Sequence, residues 1–214
     1  MKIVDLTVEL LSGMPVYGGA PPPLLKEKFT VAEMGFRVTD LQIDSHAGTH
    51  IDAPSHMLEG AQMLDDLPID QYYGPAFMMD VSAFAESKIP LDEFKKYEKE
   101  IAKAEFVILN SGWHKKFGTE DYNHGFPNPT QEAAEWLAGF PNLKGVAIDM
   151  PTIDHHGLEP LVVHKTLMAG KKIIIENLTN LSGLPNNFLL ACFPLKFRDA
   201  EGSPCRAVAM IDSK

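Results

Sequence analysis

Three histidines and an aspartate crowd into twelve residues of this chain, Ser45-His46-Ala47-Gly48-Thr49-His50-Ile51-Asp52-Ala53-Pro54-Ser55-His56. His46, His50, Asp52 and His56 all stand at even positions. Successive side chains of an extended chain point to opposite faces, so these four lean to one side. A helix would also bring His46 and His50 together at four-residue spacing, as in a His-Glu-x-x-His zinc helix. Gly48 within that spacing, Pro54 beyond it and Ala47 in place of the glutamate argue against a helix. The pattern predicts a strand, a bend permitted by Gly48, and a loop that turns its polar side chains towards one point.

Neutral imidazoles with one carboxylate are a common ligand set for zinc or another divalent transition metal. The aspartate compensates charge, while the histidines select against magnesium and calcium, which prefer oxygen shells. A polar loop whose histidines only hydrogen-bond their neighbours is the alternative, and a lone histidine would be read that way. The density and one-sidedness of this set reverse the preference. A divalent ion lowers the pKa of bound water from ~15.7 to near 7 and so supplies a nucleophile at neutral pH. Attack by such water also needs a proton carrier, and His56, which closes the stretch with the same parity, is the candidate acid or base. No Gly-x-Ser-x-Gly elbow and no glycine-rich phosphate or dinucleotide fingerprint occurs.

The 214 residues suffice for one sizeable domain with its own core, and 45% hydrophobic with 22% charged residues is ordinary for a globular protein. A formal net charge of -10 argues against a nucleic-acid partner and gives no support to an anionic membrane surface. Two cysteines, Cys192 and Cys205, make no disulfide framework and are expected to be reduced, with Cys192 in the core. Asp5 interrupts the N-terminal apolar residues early, unlike a signal peptide, and no apolar run approaches the ~18–20 residues of a membrane span. The expected location is the cytoplasm.

The elements around the stretch read as one α/β domain spanning residues 1–214, without repeats or linkers. Residues 2–9 alternate as a first strand, and 11–23, rich in proline and glycine, form a loop. Residues 26–31 and 37–44 read as a strand pair whose second member delivers the histidine stretch. Further strands are expected over 74–81, 106–109, 145–149, 172–178, 188–193 and 207–211. Ile89, Phe94, Tyr97, Ile101 and Ala104 recur at helical spacing and predict an amphipathic surface helix over 90–105. A second helix is expected from Asn128-Pro129 to about Leu137, and a third from Pro160 to Met168, ended by Gly170.

In the second half, His164 falls on the third helix, and Glu176 ends the strand Ile173-Ile174-Ile175, a costly place for an unpaired charge. Taken alone, they read as a surface histidine and a strand-end acid. Asp149 and Asp154 frame Asp-Met-Pro-Thr-Ile-Asp, where Asp149 is a candidate to orient a ligand histidine and Thr152 a candidate pocket residue. His155 and His156 follow in a loop, and one of them could approach the site. His114, Lys115 and Lys116 read as exposed, and Tyr122 with His124 as part of a mobile loop.

His-x-Gly-Thr-His-x-Asp-x-Pro-x-His resembles the hallmark of the cyclase-like family of metal-dependent hydrolases, which includes bacterial-type kynurenine formamidases and isatin hydrolases. Its fixed positions are filled by His46, Gly48, Thr49, His50, Asp52, Pro54 and His56. Trp113 after Gly112 resembles the family's Thr-Gly-Trp turn, although Asn110 and Ser111 depart from it. The resemblance implies a mixed, barrel-like sheet flanked by helices (the swivelling β/β/α type). It implies metal ligation by His46, His50, Asp52, His164 and Glu176, two Zn2+ or Mn2+ ions per chain, and His56 as proton shuttle. The implied reaction is hydrolysis of a small amide C–N bond by metal-activated water. An aryl formamide such as N-formylkynurenine, a substrate of tryptophan catabolism, comes first and an isatin-type cyclic amide next. Lactone or ester hydrolysis on the same site and a metal-binding protein without catalysis remain as alternatives. The resemblance also implies a homodimer or homotetramer.

Overall fold

The computed structural model describes residues 1–154 and 160–212. In chain order the strands are β1 (Lys2–Asp5), β2 (Leu24–Phe29), β3 (Val38–Gln42), β4 (His50–Asp52), β5 (Tyr73–Asp80) and β6 (Lys88–Ile89). They continue as β7 (Phe106–Asn110), β8 (Asn128–Pro129), β9 (Gly145–Ile148), β10 (Ile173–Glu176), β11 (Asn187–Pro194) and β12 (Gly202–Ile211). The helices are α1 (Val31–Met34), α2 (Leu91–Lys95), α3 (Glu98–Ile101), α4 (Gln131–Ala138) and α5 (Val162–Ala169).

The main sheet runs β1-β12-β11-β5-β7-β9-β10-β4, and β4 pairs back onto β12. That last pairing closes seven strands into a barrel and leaves β1 on its edge. β5, β7, β9 and β10 are mutually parallel, whereas β4, β12 and β11 run antiparallel to their neighbours. The sheet is therefore mixed and barrel-like, as the resemblance implies.

Alternation along each strand separates two cores. Phe106, Ile108, Ile173, Ile175 and Ile51 pack inside the barrel with Leu190 and Ala207. Val107, Leu109, Val146, Ile148 and Ile174 face outward, where Phe94, Ile101, Leu137 and Leu167 from the helices cover them. Strands buried on both faces need no polar side, which is why 106–109 and 173–175 are continuously apolar.

Several local readings differ from the structure. The helix expected over 90–105 is two short ones, α2 and α3, broken at Tyr97, whose ψ of 21° departs from helical values. Its apolar spacing nevertheless buries Phe94, Ile101 and Ala104 as expected. Asn128 and Pro129 do not start a helix; they pair with Lys88 and Ile89 as β8 on β6. The true cap of α4 is Thr130, whose side chain accepts the N–H of Ala133. α5 begins at Val162, two residues after Pro160.

Candidate metal centre and cavity

The register of β4 against β10 builds the centre. His50 lies opposite Glu176 and Asp52 opposite Ile174, so all four share the outer face of the barrel. Ile51, opposite Ile175, points inward. α5 covers the outer face, and its buried residues His164, Leu167 and Met168 share one stripe at the i, i+3, i+4 spacing. His164 thus reaches Asp52 and Glu176 from above.

His46 and His56 arrive by another route than the predicted one-sided strand. β3 ends at Gln42, His46 sits in the turn before β4, and His56 ends the short 3-10 helix Pro54–His56. Their even numbering is incidental; only His50 and Asp52 use strand parity. Gly48 does supply the expected bend, with φ 64°. The centre also depends on Gly202, opposite Asp52 on β12, because a Cβ there would meet His46 Cε1 at 2.6 Å.

The donor atoms fall into two sets that share Asp52: His46, His50 and Asp52, and Asp52, His164 and Glu176. Within each set the atoms lie within 4.8 Å of one another. His46 Nδ1 is 2.8 Å from Asp52 Oδ1, and His50 Nε2 is 3.3 Å from that oxygen and 3.5 Å from Glu176 Oε2. His164 Nε2 is 3.3 Å from Glu176 Oε1 and 3.6 Å from Asp52 Oδ2. All but His46 are buried.

The outward ring nitrogens are occupied by acceptors. His50 Nδ1 donates to the Gly48 carbonyl at 2.8 Å, and His164 Nδ1 donates to Asp154 Oδ2 at 2.7 Å. These bonds hold each ring with its Nε2 towards the carboxylates, free to ligate a cation once it gives up its proton. Glu201 Oε1 accepts from Ser45 Oγ at 2.6 Å and lies 3.5 Å from His46 Nε2. Glu176 Oε1 also accepts the Ile153 N–H at 2.9 Å.

Without a cation the cluster holds protons. Burial opposes charge on His50, but the Asp52 and Glu176 carboxylates outweigh it and push its pKa up to about 9. Burial likewise opposes the charge on His164, yet its hydrogen bonds to Asp154, Asp52 and Glu176 lift it well above the ordinary value. Asp52 is held far below the carboxylate range, because His50, His164 and His46 together overcome its burial. His56 moves the other way: burial, with the neighbouring His46, His164 and His50, lowers it against the pull of Asp52. Its ring lies 4.2 Å from that of His46, centroid to centroid.

The centre floors a cavity of about 240 Å3. His56, Tyr17, Phe117, Tyr122, Thr152 and Asn177 contribute to its wall. Tyr122, His114 and Asp149 differ from their sequence readings. Tyr122 is not in an unconstrained loop but buried, its hydroxyl donating to Asn177 Oδ1 at 2.7 Å. Trp113 lies beneath it in the core, donating Nε1–H to the Tyr122 carbonyl at 2.7 Å. His114 is not a free surface residue, since its Nδ1 donates to buried Asp149 at 2.8 Å. Asp149 also accepts from Ser111 and serves this turn; the acid that orients a donor histidine is Asp154. His155 and His156 lie outside the described residues. Cys192 and Cys205 are buried free thiols.

Five donors of mixed imidazole and carboxylate type, with second hydrogen bonds in place, fit a divalent transition metal. The comparisons agree with that chemistry. Residues 4–155 match the family model described as "Putative cyclase". The chain is 28% identical to the kynurenine formamidase of Bacillus cereus over 207 residues, covering 96% of this chain and 95% of the relative. Isatin hydrolase A from Labrenzia aggregata, solved with benzyl benzoate, superposes with a TM-score of 0.88 at 26% identity, over 98% of this chain and 93% of that one. A predicted metal-dependent hydrolase from Bacillus stearothermophilus does so with a TM-score of 0.80 at 28% identity, over 97% of both chains.

Proposed function

The chain belongs to the cyclase family of metal-dependent hydrolases, and from that premise we propose that it hydrolyses a small aryl amide, an aryl formamide first of all. The observation that carries the reading is the pair of three-donor sets meeting at Asp52 on the floor of a small cavity. His46, His50 and Asp52 would hold one divalent ion, and Asp52, His164 and Glu176 a second, with Zn2+ or Mn2+ suited to the donors. Such ions, when bound, acidify water and polarise a carbonyl oxygen.

The chain's own residues supply the rest. Asp52, shared by both sets, fixes their relative position. Asp154 and the Gly48 carbonyl keep His164 and His50 in the ligating tautomer. His56, in the cavity wall beside the donors and outside both sets, takes a proton from the attacking water and returns it to the leaving nitrogen. Apolar wall residues such as Phe117 and Val16 receive an aryl ring and exclude water from it.

N-formylkynurenine is the substrate we favour, by similarity to the Bacillus formamidase, which would place the enzyme in tryptophan catabolism in the cytoplasm. Ring opening of an isatin is the second reading, supported by the likeness to the Labrenzia enzyme. Among the described residues no helix is long and apolar enough to cross a membrane. Metal analysis of the purified protein, with both substrates assayed before and after chelation, tests the proposal. About two ions per chain and chelator-sensitive release of formate are expected. A metal-loaded protein that cleaves neither compound would remove the substrates, and a protein that binds no zinc or manganese would remove the mechanism.

We also propose a homodimer or homotetramer. The β2–β3 hairpin leaves Leu24, Val31, Met34, Phe36, Val38 and Leu41 exposed, an apolar surface of the kind that monomers seldom carry. Light scattering at micromolar concentration should give a multiple of the 23.6 kDa chain mass, and a monomer would overturn this assignment.

A further inference from the structure

Asp149 follows β9 and is 0% exposed, and a buried carboxylate is costly unless donors surround it. Among the described residues every hydrogen bond to its carboxyl group comes from one turn of chain. Oδ1 accepts the Ser111 N–H at 3.0 Å and the Ser111 hydroxyl at 2.6 Å. Oδ2 accepts His114 Nδ1–H at 2.8 Å and lies 3.5 Å from the His114 main-chain nitrogen. The His114 side chain is only 9% exposed. The carboxylate it meets is held by β9, which is paired on both sides, to β7 and to β10.

This turn begins the segment that walls the cavity. Gly112, with φ 74°, leads the chain after β7 into the 3-10 helix Trp113–Lys116. The His114 carbonyl accepts the Phe117 N–H at 3.2 Å, and the Lys116 carbonyl accepts the Thr119 N–H at 2.9 Å. The Trp113 indole then ties the Tyr122 carbonyl to the same turn. Phe117 and Tyr122 meet edge to face with ring centroids 5.1 Å apart, and both line the cavity. His114 is not among the lining residues and belongs to neither donor set, so any effect it has on the site passes through this segment.

We propose that His114 is a positioning residue for substrate binding: its bond to Asp149 sets the turn that carries Phe117 and Tyr122 to where an aryl ring packs. The inference rests on the aryl amide reading above and deepens it. A wall that holds the ring equally in the substrate and in the transition state sets KM and leaves kcat alone. His114 thus governs affinity, whereas His56 governs turnover.

His114→Phe keeps a ring in the site and removes the donor, while His114→Asn puts an amide nitrogen where Nδ1 stood. Each metal-loaded variant is assayed with formanilide and titrated calorimetrically with aniline, which is not cleaved. The phenylalanine variant should raise KM and the aniline Kd about fivefold or more, with kcat within about twofold and metal content unchanged. The asparagine variant should return both constants towards wild type. Should His114→Phe not fold, Ser111→Ala, which removes one bond to Asp149 and leaves the imidazole in place, must raise both constants as well. Unchanged affinity in the variant that folds, a loss confined to kcat, no rescue by asparagine, or no aniline binding by the wild type overturns the role of His114. Formanilide cleavage by the same wild-type sample then shows that the hydrolase reading survives. Weaker aniline binding, restored by asparagine, in a protein that cleaves no formanilide supports the role and overturns the hydrolase reading instead.

Discussion

Asp154 Oδ2 stands 2.7 Å from His164 Nδ1, and the same carboxyl group accepts the main-chain N–H of Val163 and His164. One side chain therefore caps the first turn of α5 and sets the ring that the helix delivers to the centre. Burial would raise its pKa, but the bonds from His164 and the α5 N–H groups keep it lowered. Asp154→Ala should cost about 1–2 kcal/mol of stability through the lost cap. It should also weaken metal binding about 10–100-fold through the unconstrained imidazole. Thermal denaturation and competition with a chromophoric chelator measure the two effects. A loss of stability with unchanged metal affinity would show that the cap alone matters.

His56→Ala should retain its metal and lose hydrolysis by about 100-fold or more, since a positioned proton carrier contributes that much. His56 belongs to neither donor set, so its removal leaves both intact. Elemental analysis and kcat of the same preparation check the two halves. Unchanged kcat would take His56 out of the mechanism, and lost metal would make it a ligand.

The sequence made the floor of the site legible and its supports illegible, for a physical reason. His46, His50, Asp52 and His56 are neighbours in the chain, and so many donors in so short a run are costly to bring together unless they share a cation. His164 and Glu176, a surface histidine and a strand-end acid when taken alone, joined the ligand set only through the family resemblance. Asp154, Glu201, Tyr122 and Asn177 gave no such signal. Each acts through a contact that only closure creates: Glu201 meets Ser45 across 156 residues and Tyr122 meets Asn177 across 55. The continuous apolar runs marked β7 and β10 because both faces of those strands are buried. The two-residue β6 and β8 pair lacks such a pattern, and Asn128-Pro129 imitated a helix start two residues early.

The metal-free centre should bind its ions more tightly as pH rises. His50 titrates at about 9, pushed up by Asp52 and Glu176 against its burial, so at pH 7 it holds a proton that a metal must displace; His164 and His46 are shifted in the same direction. The apparent affinity should climb from pH 6 towards 9, with proton release at pH 7 visible in buffers of different ionisation enthalpy. Stability of the chelated protein runs the opposite way. A folded pKa above the unfolded value of ~6.5 contributes fully below pH 6.5, and that contribution is lost as pH passes through about 9. Denaturation of the chelated protein across that range should show a falling Tm. A flat affinity profile from pH 6 to 9 would mean that the donors are already neutral.

Gly202→Ala should damage the centre without touching a donor. Gly202 faces Asp52 across the β4–β12 pairing, and an added Cβ would lie 2.6 Å from His46 Cε1 and 2.9 Å from its Nε2. Real Cβ atoms do not approach so closely, so either β12 shifts or the ring leaves. β12 is paired on both sides, to β11 and to both β1 and β4 along its length, and is the harder to move. The His46 ring, partly exposed and held by Asp52 and Glu201, gives way first. We expect a cost of about 1–3 kcal/mol from overpacking and a metal stoichiometry that falls by one ion while the Asp52–His164–Glu176 set keeps its own. Elemental analysis of the folded variant decides it. Full occupancy would show that His46 is dispensable to both sets.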